Sequence, residues 1–195
     1  MVSSGIFAIE TTQWWRSLRD RSTVRPILDL ISHGTEGGVD YVHRQVATPE
    51  ELRHHVRRWR RTRFPILFLA MHGRAGVIFL DNRKRTRNCI DLDGLAEMLG
   101  DGLAGRIVHF GCCSTLDIDK RNITRFLRRT GVTAATGFAS DLDWLRSGAF
   151  ELLVLSTLLR YRVNLRGARR MEQVLMREVP CLRRELAFRM VINEP

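Results

Sequence analysis

Lysine is nearly missing from this chain: of 32 basic residues in 195, only Lys84 and Lys120 are lysine and the rest are arginine. So lopsided a ratio fits a genomic composition bias, and it accompanies a formal net charge of +11. Long apolar runs are missing too. None approaches the ~20 residues that span a bilayer, which excludes a membrane-spanning helix. The N-terminus has no basic segment followed by a long apolar stretch, so a secretory signal is not expected and a cytoplasmic protein is. Repeats, low-complexity tracts and Pro/Gly/Ser linkers are absent as well. A single domain over residues 1–195 is expected, with C-terminal helices from about 164, since this length suits one α/β core and is short for two.

Cysteine is scarce. Cys112 and Cys113 are adjacent and would bridge only with strain, so Cys89, Cys112, Cys113 and Cys181 do not suggest a disulfide framework. No Cys-x-x-Cys or His-x-x-x-His pair accompanies them, and a zinc site needs four convergent ligands. No metal site or cofactor is expected. Arg57, Arg58, Arg60, Arg61 and Arg63 form a dense basic run that could meet phosphates. No recognition helix, RNP motif or zinc finger stands beside it, so solvated helix faces are expected rather than nucleic-acid binding.

What is there is an α/β order. Hydrophobic residues make up 44% and charged residues 27%, as in a globular protein. A strand is expected at Gly5–Ile9, helical stretches through Trp14, Trp15 and Leu18 and through Ile27–Ile31, a turn at Gly34–Gly38 and a strand at Val39–Val46. Thr48, Pro49, Glu50 and Glu51 make a helix start, with Thr as N-cap, Pro at the first position and acids in the first turn. Pro65–Met71 and Arg106–Phe110 are continuously apolar, the mark of parallel strands covered on both faces. Between them lie a short strand at Gly76–Leu80, a charged loop at Asp81–Asn88 and a helix through Leu92–Leu99. Then follow a helix at Asp119–Arg129, a strand at Val132–Phe138, a long helix at Asp141–Tyr161 and arginine-rich helices to the end. The fold class is a three-layer α/β/α sandwich with a mostly parallel central sheet. Sites in such sheets lie outside the carboxyl ends of the strands.

Two strands end in reactive residues: Phe64–Gly73 ends in His72 and Gly73, and Arg106–Thr115 carries Cys112 and Cys113. If the strands are neighbours, imidazole and thiol meet at one edge. A thiol becomes nucleophilic when a base takes its proton. Gly73 would let a substrate carbonyl approach the backbone, and its N–H with that of Cys113 could form an oxyanion hole. A buried strand cysteine is also common as inert packing. His109 suits a hydrogen-bonded core or cleft histidine, and His33, His54 and His55 have no matching role.

Apolar strand, His-Gly, short strand, helix, apolar strand, small residue, Cys, small polar residue: over roughly Phe64 to Leu159 this order resembles the caspase-like cysteine peptidases, closest to CHAT-type and short bacterial members. In caspases the histidine lies about 50 residues upstream of the cysteine; here the interval is 41. Aligned on that pattern, Cys113 takes the nucleophile's place and Cys112 the small residue before it. The resemblance implies a cysteine endopeptidase with His72 and Cys113 as catalytic pair and Gly73 and Cys113 as oxyanion donors. It further implies a protein or peptide substrate, a bacterial defence or regulated-proteolysis role, and an activating protein partner. Gly111 departs from the metacaspase pattern, which has an acid there. Asp141, Asp143 and Trp144 follow the next strand and match a CHAT-type loop that could line a substrate pocket, although acids there equally cap the long helix. Arg83–Arg87 is an exposed basic loop that would be an autoprocessing site if the pocket were acidic, and is otherwise simply solvated. Apolar faces on the C-terminal helices suit a homodimer or intramolecular packing. Two rivals stand beside the peptidase: a non-catalytic caspase-like module that binds a partner protein, and a basic nucleic-acid-binding α/β protein.

Overall fold

A computed structural model describes residues 5–12, 22–35, 38–81 and 88–194. The expected helix through Trp14, Trp15 and Leu18 and the basic loop Arg83–Arg87 lie outside the described residues, as do Glu36 and Gly37 of the turn. The central sheet contains β1 (Gly5–Thr11), β2 (Asp40–Val46), β3 (Ile66–Ala70), β7 (Ile107–Gly111), β8 (Ala134–Phe138) and β9 (Phe188–Ile192), in the order β2-β1-β3-β7-β8-β9. Every pairing is parallel except the last, where β9 runs antiparallel to β8. The two continuous apolar runs became β3 and β7, in the middle of the sheet and buried throughout. That follows from the sheet's two covers, since neither face of such a strand meets water.

Among the described residues, six helices of eight residues or more supply the covers, and α7 (Pro180–Glu185) adds a short one. On one face α2 (Pro49–Arg60), α3 (Leu92–Leu99) and α4 (Lys120–Thr130) pack Trp59, Leu95 and Phe126 against Leu69, Val108 and Phe110. On the other, α1 (Arg25–Gly34), α5 (Trp144–Arg160) and α6 (Leu165–Glu178) pack Leu28, Phe150 and Met171 against Ile66, Phe68 and Ile107. The result is the three-layer α/β/α sandwich. Each such side chain removed from water contributes about 1.5–3 kcal/mol before entropy is charged. Local signals set the helix ends. Thr48 accepts from Glu51 N and Glu51 reaches back, the full capping box. Gly131 closes α4 at φ 73, where a Cβ would be strained.

Two features depart from the sequence-based expectation. The arginine-rich C-terminal segment is not helical to its end, because Phe188–Ile192 returns as β9 and closes the sheet beside β8. A second, three-stranded antiparallel sheet forms from β4 (His72–Arg74), β5 (Val77–Phe79) and β6 (Cys89–Asp91), of which only β5 was expected. His72 therefore opens this small sheet rather than ending the strand before it. The basic run at the end of α2 is partly committed within the fold. Arg60 donates to the carbonyls of Leu99 and Asp101, and the Arg106 guanidinium stacks on Trp59 at 4.7 Å. No helix among the described residues is long and apolar enough to cross a membrane.

Candidate active site

The register of the sheet builds the site. Glu10, Ala70 and Gly111 form one row across β1, β3 and β7. Side chains alternate along a strand. Ile6, Ala8, Phe68 and Ile107 belong to the core on the α1–α5 side, and Val108, Phe110 and Cys112 to the core opposite. By the same alternation Glu10, Ala70 and Gly111 face α5. Two residues beyond Ala70 and Gly111 come His72 and Cys113, on that same side.

Cys112 and Cys113 thus point to opposite faces. Cys112 is fully buried, its thiol donating to the Leu69 carbonyl at 3.2 Å, and burial pushes its pKa far up. It cannot serve as a thiolate. Cys113 is half-buried, as is His72, and both line one cavity of about 380 Å³. Its walls are apolar (Val24, Ile27, Met71, Leu142, Trp144), and its size falls in the range of small-molecule sites, about 300–1,000 Å³.

Gly73 joins the two segments. A Cβ there would lie 2.7 Å from the Cys113 carbonyl oxygen, 2.3 Å from Thr115 Oγ1 and 2.9 Å from Cys112 Cβ. Only a glycine lets β4 press against the cysteine-bearing turn. That turn is held firmly. Ser114 takes φ 49, in the left-handed region that non-glycine residues seldom occupy. Its N–H donates to the Ser140 carbonyl and its hydroxyl to Asp141 Oδ1 at 3.0 Å. Farther on, Arg189 of β9 donates to the carbonyls of Leu116 and Ile118.

The loop after β8 divides its roles. Trp144 lines the cavity, whereas Asp141 and Asp143 are not among its lining residues. Asp143 is the N-cap of α5 and accepts from Arg146 N at 2.9 Å, while Asp141 receives the Ser114 hydroxyl. The acid that does line the cavity is Glu151, 5% exposed, from the middle of α5. A Cβ on Gly111 would meet its Oε1 at 2.5 Å, so the smallness of Gly111 makes room for the carboxyl. Burial, and then the charge of Glu10, push its pKa up to about 8. Glu10 itself is fully buried and accepts from the Thr23 hydroxyl and Val24 N–H, with His43 Nε2 at 2.7 Å.

His109 sits one row deeper, stacked on Phe68 and bonded through Nδ1 to Thr136 Oγ1 at 2.9 Å. Burial drives its pKa down to about 3, so the ring is neutral, a core histidine beneath the cavity. Glu151 escaped the sequence reading, yet a signal for it existed. It falls four residues after Ser147 and three and four before Val154 and Leu155, on the buried stripe of its helix.

The chain belongs to a family whose model matches residues 3–190 and is described as a family of unknown function, DUF6642. No curated protein matches it.

Proposed function

We propose that the protein is a cysteine endopeptidase acting through Cys113 and His72. One observation carries this: a half-buried thiol and an imidazole share one face and one cavity beyond the Ala70–Gly111 row, while the neighbouring thiol is sealed in the core. In this mechanism His72 takes the Cys113 proton and the thiolate adds to the scissile carbonyl. The N–H groups of Gly73 and Cys113 donate to the oxyanion. As the tetrahedral intermediate collapses the C–N bond breaks, and the imidazolium gives its proton to the leaving amine. Water, deprotonated by His72, then attacks the thioester, releasing the acid and restoring the thiol. This chemistry uses no cofactor. A role in bacterial defence or regulated proteolysis, with a partner protein as activator, follows from the resemblance to CHAT-type peptidases.

Labelling with a peptidyl acyloxymethyl ketone, followed by peptide mapping, tests the assignment. Wild type is expected to be modified at Cys113, and His72→Ala to be modified at least 100-fold more slowly. A folded protein left unmodified would instead be the non-catalytic partner-binding module, and a Cys113→Ala variant that cleaves a peptide library like wild type would remove the mechanism.

A further inference from the structure

The cavity beside Cys113 holds a carboxyl that the peptidase chemistry does not use. Among the described residues, Glu151 is the one acid that lines it, in a chain of formal charge +11. Buried carboxyls are ordinarily hydrogen-bonded or paired. The Glu151 carboxyl makes no hydrogen bond among the described residues; His109 Nε2 stands 3.9 Å from it and has no hydrogen-bond partner among them either. Along the same row, two strands away on β1, Glu10 adds a second carboxyl facing the same side. A buried acid that lacks a donor, backed by another acid, is a site for a cation.

Geometry narrows the cation. The Glu151 carboxyl lies over Gly111, two residues before Cys113 on the same face. Two strand residues span roughly 6–7 Å, a depth that a long, extended side chain reaches and a short one does not. The cavity's walls are largely apolar, and Met71, Leu142 and Trp144 among them can cover methylene groups. An arginine or lysine side chain has this form: an apolar stem ending in several N–H donors.

Resting on the peptidase reading, we propose that this cavity receives the residue on the acyl side of the scissile bond and that Glu151 makes the enzyme select arginine or lysine there. The cation supplies the donor that Glu151 lacks. Glu151 is a specificity-determining residue and touches no reacting atom. The groups facing it are Glu10 from β1, His109 from β7, and His72 and Cys113 at the cavity's upper rim.

Two measurements test this. The first compares acyloxymethyl ketone probes ending in arginine and in citrulline, its neutral near-isostere, on wild type, Glu151→Gln and Glu151→Asp. Wild type is expected to favour arginine at least 30-fold. Glu151→Gln should bring the ratio near one, and Glu151→Asp, which keeps a carboxyl able to ionise against the cation, should retain part of it. The second titrates benzamidine by calorimetry, which needs no reactive thiol. Binding at least tenfold weaker in Glu151→Gln is expected. If the probes modify Cys113 without preference, the cation pocket falls and the peptidase survives. If no probe reacts yet benzamidine binding depends on Glu151, the peptidase falls and the pocket survives. Benzamidine binding that is absent, or equal in both proteins, overturns the pocket.

Discussion

Replacing Glu151 by glutamine should make the protein more stable, by an amount that pH controls. In the fold its carboxyl holds its proton to about pH 8, because burial and Glu10 disfavour the charge, whereas the reference value is 4.5. A folded pKa above the unfolded one means a contribution that is neutral in acid and increasingly unfavourable as pH rises through 4.5 toward 8. Each pH unit between those limits costs about 1.4 kcal/mol, so wild type is penalised by about 3 kcal/mol at pH 7. Glutamine keeps the shape and never ionises. The gap between Glu151→Gln and wild type should thus be near zero at pH 4, about 3 kcal/mol at pH 7 and level above about pH 8.5. For a chain of this size that is roughly 6–12 °C in Tm at pH 7. His109, depressed to about 3, works in the opposite direction, its stabilising share being lost as pH falls below 6.5; it is present in both proteins and cancels in the difference. Urea titrations followed by circular dichroism at pH 4, 5.5, 7 and 8.5 measure it. Equal stabilities at pH 7, or a gap that does not change with pH, would refute the buried, unpaired carboxyl.

The other expectations concern the cysteine turn and its surroundings. Gly73→Ala places a Cβ 2.7 Å from the Cys113 carbonyl; it should cost about 1–3 kcal/mol by overpacking and slow labelling of Cys113 at least tenfold. Cys112 should stay silent to a thiol reagent in the folded protein and react only on denaturation, while Cys113 and the exposed Cys181 react at once, as timed mass spectrometry would show. Asp143→Ala removes the α5 N-cap and should lower stability by about 1 kcal/mol without changing the arginine-to-citrulline ratio, because Asp143 does not line the cavity.

Much of the scaffold was legible because periodicity and punctuation agree in it. Continuous apolar runs marked β3 and β7, Thr48–Glu51 marked the start of α2, and Gly131 marked the end of α4. Alternation along β7 also separates Cys112 from Cys113, since a period of two puts successive side chains on opposite faces. The rest depends on tertiary pairing. Strands of three residues such as β4 and β6 carry too few side chains to show a period. β9 follows two arginine-rich helices and becomes a strand through the exposed edge of β8. Glu151 needed its helix to be placed over Gly111 before its burial meant anything, and Asp141 and Asp143, in the loop where an acid was sought, hold the turn and cap the helix instead.

Arg189 gives the cysteine turn a dependence on the far end of the described chain. The carbonyls of Leu116 and Ile118 are held by a side chain 73 and 71 residues later, on the strand that also covers the edge of β8. During synthesis the polypeptide carries His72 and Cys113 long before it carries that anchor. Contacts of such sequence separation form late, and until they form β8 offers an open edge. The nucleophile's turn therefore gains its full support only after Phe188–Ile192 has docked, so a nascent or clipped chain that ends before it would hold the reactive thiol in an incompletely fastened turn.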